Sequence, residues 1–289
     1  MSEARGGWSV GVDVGGTFTD LAAVSTDGRV LTRKVLSTPG DQSDGVLTAL
    51  DALGAPGAAV ERLVHGTTVV TNLLLERAGA RVALCATEGA TDLLELRRQE
   101  RASLYDLAVH HPPALVPHEM VLAVPERMDP SGVVRPLDGA AARAVAERVA
   151  ALAPDIGAIA LLYAYADPAH ERTLAAAIAE RSPGLDVVLA SDVLPEIREY
   201  ERTATTVAEA YARPAVARYV GRLAERLRAG GYPPPGVMTS SGGMRSAAEA
   251  ARGAAALALS GPAGGVVGAA AVARAVDVAQ ALTIDIGGT

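Results

Sequence analysis

The pentapeptide Asp-x-Gly-Gly-Thr occurs twice in this 289-residue chain, at 13–17 and at 285–289, each time behind a run with strand periodicity. In the first run Val10, Val12 and Val14 share one parity, and Gly11, Asp13 and Gly15 share the other. In the second, Leu282, Ile284 and Ile286 oppose Asp285 and Gly287. Successive strand side chains point to opposite faces, so each aspartate leaves its strand on the face that the turn presents. Glycine has no Cβ, which lets backbone N–H groups approach an anion and form a nest for phosphate oxygens. The hydroxyls of Thr17 and Thr19 add donors. An aspartate beside a polyphosphate suits Mg2+, which prefers oxygen ligands and keeps part of its water shell. One such turn is equally well a hairpin whose aspartate bonds its own backbone. Two in the same register, one in each half, point to a phosphate clamp made by two similar domains. Mg2+ is then assigned to the catalytic pair Asp13 and Asp285. Phosphate goes to Gly15, Gly16, Thr17, Thr19, Gly287, Gly288 and Thr289.

Composition removes the competing routes. The single lysine, Lys34, follows Arg33, whereas a P-loop needs Gly-Lys-Ser/Thr. A net charge of −7 and 3% aromatic residues disfavour nucleic acid and base stacking. Cys85 is alone, which excludes an internal disulfide and a cysteine-cluster metal site. No apolar run reaches membrane-spanning length and the first seven residues lack a signal-peptide core, so the expectation is a cytoplasmic protein without a membrane partner.

Strand and helix patterns alternate, giving an α/β chain. Strands are expected at 8–14, 18–25, 30–36, 63–65, 81–86, 156–162, 187–190, 237–240 and 281–286. Helices are expected after Asp41 or Ser43, at 68–77, 91–98, 139–152, 169–180, near Ala247, at 261–276, and at 196–229 with a break at Pro214. Residues 108–137 hold six prolines and read as an irregular excursion with a small β unit. The division falls within 191–199, giving domains 8–195 and 196–289.

Other segments carry two readings each. His65-Gly66-Thr67-Thr68 lies where a strand meets a helix; it is either a capped helix start with His65 in a polar corner, or a loop facing substrate or phosphate. Ser241 and Gly242 turn toward a cleft or form a simple polar turn. Ser260 is an N-cap candidate before Pro262, and its glycine pattern does not fit Gly-x-Gly-x-x-Gly. The charges of 196–202 recur at helical spacing, which suits a solvated face, or a hinge or interdomain salt-bridge role where the two expected domains join. Arg97, Arg98 and Arg101 form a loop charge cluster or meet an anionic substrate. His110, His111 and His118 show no metal-site spacing, and no nucleophile elbow is present.

Six stretches together resemble the hydantoinase A/5-oxoprolinase family. They are Gly11-Val-Asp-Val-Gly-Gly-Thr-Phe-Thr-Asp20, His65-Gly-Thr-Thr-Val-Val-Thr-Asn72, Leu194-Pro-Glu-Ile-Arg-Glu-Tyr-Glu-Arg-Thr203, Ser240-Ser-Gly-Gly243, Ser260-Gly-Pro-Ala-Gly-Gly-Val-Val-Gly-Ala269 and Asp285-Ile-Gly-Gly-Thr289. The resemblance implies an actin/Hsp70/sugar-kinase-like (ribonuclease H-like) ATPase fold, with the first domain nearly complete and the second truncated. It implies ATP and Mg2+ as cofactors, a cyclic amide substrate of hydantoin or 5-oxoproline type, and a hydantoinase B-type partner subunit or domain. An acetone-carboxylase-type carboxylase subunit and a non-catalytic fragment are the alternatives. A chain stopping at the second turn leaves a strand edge unpaired, so truncation and inactivity of this piece alone are expected.

Overall fold

The computed structural model describes residues 7–38 and 40–284; Asp285, Gly287, Gly288 and Thr289, and with them the second glycine turn, lie outside the described residues. The chain forms two compact units. One gathers the residues up to Ala78 and those from Ala215 onward, and the other is Gly79–Pro214. The 195/196 division is a different partition and stays a proposal about domains.

The first unit begins with an antiparallel meander of Trp8–Val14 (β1), Phe18–Ser25 (β2) and Val30–Leu36 (β3). Its period-two pattern buries Val10, Val12 and Val14 with Leu21 and Ala23 and turns Asp13 outward. Gln42–Asp51 (α1) packs on this meander. Asp41 caps it by accepting the Ser43 N–H at 3.0 Å. Val60–Thr67 (β4) pairs parallel with β1, and Val69–Glu76 (α2) follows it.

The second unit holds a parallel sheet. Its elements are Val82–Thr87 (β5), Leu93–Leu96 (α3), Val121–Val124 (β6), a hairpin of Arg127–Asp129 (β7) and Gly132–Arg135 (β8), Gly139–Leu152 (α4), Ile156–Ala160 (β9), Ala169–Arg181 (α5), Val187–Leu189 (β10) and Ala190–Val193 (α6). The sheet order is β10-β9-β5-β6. Every residue of β5 and β9 is buried, as the strands of a covered parallel sheet must be. The proline-rich excursion thus supplies a strand, β6, to the sheet as well as the small hairpin.

Glu199–Ala229 (α7) carries the chain back, and Gly236–Met238 (β11), Met244–Ser246 (β12), Ala247–Ala250 (α8) and Ser260–Ala275 (α9) complete the first unit. The first sheet then reads β12-β11-β4-β1-β2-β3. Tyr219, Arg222 and Arg226 share one face of α7. Arg226 donates to Ser43 Oγ at 2.7 Å and Arg222 lies 3.5 Å from Asp41, joining α7 to the start of α1.

Several expectations need correction. Helix α7 runs unbroken through Pro214, because buried Tyr211, Val216, Tyr219, Val220 and Leu223 hold its turns on both sides of the lost N–H. It starts at Glu199 rather than 196, since Arg198 sits at φ 81°, outside helical geometry. Helix α3 stops at Leu96 because Arg97 adopts φ 54° and ψ −127°. Residues 281–284, expected as a strand, carry no regular structure; Leu282 and Ile284 are 91% and 79% exposed, with no strand paired to them among the described residues. No described helix is long and apolar enough to cross a membrane.

One buried polar network ties the second unit together. The Glu126 carboxylate accepts from the Thr87 hydroxyl and lies 2.8 Å from His170 Nδ1, while His170 Nε2 accepts the Leu137 N–H at 3.3 Å. With Nε2 an acceptor, Nδ1 carries the ring proton and donates to Glu126. Removing the imidazole leaves a buried carboxylate short of a donor, so H170A is expected to destabilise the chain by about 1–3 kcal/mol in urea denaturation.

Candidate functional site

Strands β1, β4 and β11 run side by side and parallel, with Asp13 beside Gly66, Val14 beside Thr67 and Val237 beside His65. Their carboxyl ends therefore open on one edge of the sheet. Three segments singled out in the sequence arrive there: the 13–17 turn after β1, the 65–68 segment closing β4, and Ser241-Gly242 after β11. Ligands of open α/β sheets bind outside the carboxyl ends of strands.

The Asp13 turn is built on a hydrogen-bonded base. Gly15 N–H donates to Phe18 O at 3.0 Å, Ser37 N–H to Thr17 O at 2.9 Å, and Ser37 Oγ to Gly15 O at 2.8 Å. Asp13, Gly16 and Thr17 are exposed above it. Thr19 is not: it shares the buried parity of Leu21 and Ala23, and its Oγ1 lies 3.1 Å from Ser37 Oγ. Its hydroxyl serves the underside of the turn. Ser37 had no signal in the sequence, because it reaches the turn from behind β3.

Gly66 is the second essential feature of this edge. A Cβ built on it would lie 2.5 Å from Asp13 Oδ1, so the Asp13 carboxylate rests across the space that a side chain would fill. Asp20 lies opposite Asp13 across the β1–β2 pair, and its charge is matched by Lys34 at 2.6 Å.

The neighbours of Gly66 turn the other way. His65 and Thr67 are buried on the face opposite Asp13. The polar-corner reading thus describes His65: its Nε2 lies 2.7 Å from the Tyr219 hydroxyl. Burial lowers its pKa to about 4, against an opposing contribution from the Val12 backbone. Thr67 Oγ1 accepts the Val69 N–H at 3.2 Å, while Thr68, in the N-cap position of α2, makes no side-chain cap. Thr68 instead donates its N–H and its hydroxyl to Val14 O at 3.3 and 3.2 Å. Tyr219 escaped the sequence reading because a tyrosine at core spacing in a helix carries no mark of its partner.

The remaining candidates are placed as follows. Ser241 and Gly242 form the β11–β12 turn, with Gly242 at φ 79° and its N–H bonded to Thr239 O at 3.0 Å. Ser260 does not cap α9; Leu259 holds that position in the left-handed region, and Ser260 Oγ donates to Thr67 O at 3.1 Å. In the second unit Arg98 pairs with Glu201 at 2.7 Å. The charged 196–202 stretch divides: Glu196 and Arg198 are exposed, whereas Arg202 is buried and donates to the carbonyls of Leu161 and Glu196.

Residues 9–182 match the family described as hydantoinase/oxoprolinase N-terminal region, and residues 202–289 match hydantoinase/oxoprolinase. The caprolactamase alpha subunit of Pseudomonas jessenii is 32% identical over 98% of this chain and 42% of its own length. The solved ATP-dependent caprolactamase of that organism superposes with a TM-score of 0.84, over 97% of this chain and 42% of that one. A nucleotide-free acetone carboxylase structure also gives 0.84 at 28% identity, over 94% and 41%. 5-oxoprolinase 1 of Arabidopsis thaliana is 31% identical over 96% of this chain and 24% of its own. The fold is therefore that of the actin-like ATPases of this group, and the chain spans less than half the length of these relatives.

Buried, neutral His65 makes the first unit acid-sensitive in a defined window. Its folded pKa of about 4 lies below the ordinary value of 6.5, so the unfolded chain binds the extra proton first. The stability this gives is complete above about pH 6.5 and is lost as pH falls toward about 4, by up to about 1.4 kcal/mol per pH unit. H65Q is expected to flatten the urea-stability profile across that window; a constant offset from the wild type is the opposing result.

Proposed function

Because this chain belongs to the hydantoinase/oxoprolinase family, we propose that its Asp13 turn binds the phosphates of Mg-ATP in an enzyme that opens a cyclic amide of hydantoin or 5-oxoproline type. The observation that carries the reading is the convergence of an exposed Asp-x-Gly-Gly-Thr turn, the side-chain-free surface of Gly66 and the start of α2 on one sheet edge. It is supported by the ATP-dependent caprolactamase and acetone carboxylase that this chain resembles.

The residues fit the group. Among the described residues no cluster of three or more His, Cys, Asp or Glu side chains stands ready for a metal. A cation at Asp13 would take its other ligands from phosphate, water and the proposed Asp285, an oxygen set of the kind Mg2+ prefers. Gly16 and Thr17 present the N–H groups and hydroxyl of the turn to phosphate, and Gly15, whose N–H closes the turn on Phe18 O, shapes it. Asp285, Gly287, Gly288 and Thr289 are the proposed second half of the clamp. Bound Mg-ATP supplies a phosphoryl group to the amide oxygen, which converts a poor electrophile into one that water attacks. The chain's own work is to hold the phosphates in line and to balance their charge.

Since this chain spans 42% of the caprolactamase subunit, the reading assigns phosphate binding to this chain and turnover to the whole protein. A hydantoinase B-type subunit is the proposed partner, supported by the subunit character of that relative. The cytoplasm, where ATP is held, is the proposed compartment. ATP turnover measured with hydantoins, 5-oxoproline, or acetone plus bicarbonate separates amide opening from the carboxylase alternative, which the acetone carboxylase likeness favours.

Calorimetric titration of the chain with Mg-ATP tests the site. D13A removes the carboxylate, and G66A sets a methyl where that carboxylate lies. Each is expected to weaken Mg-ATP binding by at least about tenfold. Unchanged affinity in D13A overturns the reading.

A further inference from the structure

The two residues that flank Gly66, His65 and Thr67, point away from Asp13, and the first of them is held by a side chain of α7. The Tyr219 hydroxyl lies 2.7 Å from His65 Nε2, with the rings tilted 54° at a centroid distance of 5.7 Å. On the other side of Gly66, Thr67 Oγ1 accepts the Val69 N–H that opens α2. Gly66 thus lies between two anchored side chains, His65 on Tyr219 and Thr67 on the first turn of α2. Its bare face is on the opposite side, and the Asp13 carboxylate rests on it.

We propose that Tyr219 is a positioning residue for the phosphate turn: by gripping His65, directly before Gly66 in β4, it sets the surface against which Asp13 is aimed. The inference rests on the Mg-ATP reading of the Asp13 turn and adds to it a residue on α7, 206 positions along the chain. Geometry favours positioning over simple packing. The ring alone would fill the core, and Tyr219 is buried, so its hydroxyl must find partners there. The partner it finds is His65, directly before Gly66. Thr67, on the other side, is held independently, because its carbonyl accepts from Ser260 Oγ at 3.1 Å. Freedom gained when the tyrosine hydroxyl is lost therefore falls on the His65 side of Gly66.

The test is a double-mutant cycle between Y219F and D13N, read by calorimetric titration of Mg-ATP into the chain, with urea midpoints recorded for every variant. Phenylalanine keeps the ring, so Y219F is expected to stay folded while Mg-ATP affinity drops by about five- to tenfold. In the D13N background the same change is expected to cost nothing further, since the misaimed group is already gone. Losses that add in the double variant, or wild-type affinity in Y219F, overturn the positioning role while leaving the Asp13 site intact. A wild-type chain that binds no Mg-ATP, or a D13N variant that binds it as well as the wild type, refutes the site reading and this inference together.

Discussion

The Val14 carbonyl accepts two hydrogen bonds from one residue, the N–H and the hydroxyl of Thr68, at 3.3 and 3.2 Å. This is the constraint on which the candidate site depends. It locks the last residue of β1 to the residue that opens α2, so the glycine turn and the helix start cannot drift apart. Parallel pairing of β1 with β4 brings the two ends close; the doubled bond makes their separation definite. Asp13 and Gly66 then face each other at a distance that only a residue without Cβ allows.

The second unit shows a different use of polar side chains. Glu171 is buried and accepts the N–H groups of Leu161 at 3.1 Å and Ser191 at 3.0 Å, and burial raises its pKa. Arg202 donates to the carbonyls of Leu161 and Glu196 and lies over the Tyr165 ring at 5.2 Å. Glu126 and His170 secure the segments leading into the β7–β8 hairpin and α4. These groups satisfy backbone where strands end and loops leave the sheet, a role that needs charge or strong polarity without a ligand. Dense charge along the sequence thus marks the anchoring of backbone here.

Alternation and turn chemistry made most local structure readable. The β1–β2–β3 meander, α4 and the span of α5 follow from parity, helical spacing and capping, all of which act over a few residues. The exposed face of Asp13 was legible for the same reason. Elements misread in the sequence are those whose outcome hangs on distant partners. Helix α7 survives Pro214 through burial on both sides, Arg202 is drawn inside by the Leu161 and Glu196 carbonyls, and residues 281–284 stay irregular because no described strand pairs with them.

By itself the sequence determined that an aspartate and two glycines end a strand on an open face, which is enough to propose phosphate and Mg2+. Only the tertiary structure decided which residues share that edge and which stand behind it. Thr19 and His65 look like ligands in one dimension but fall on the buried parity, whereas Gly66 gains its meaning only beside Asp13, and Tyr219 only beneath Gly66. The physical reason is that parity is local, repeating every two residues, while register between β1 and β4 is set across some fifty residues by hydrogen bonds that no local pattern encodes.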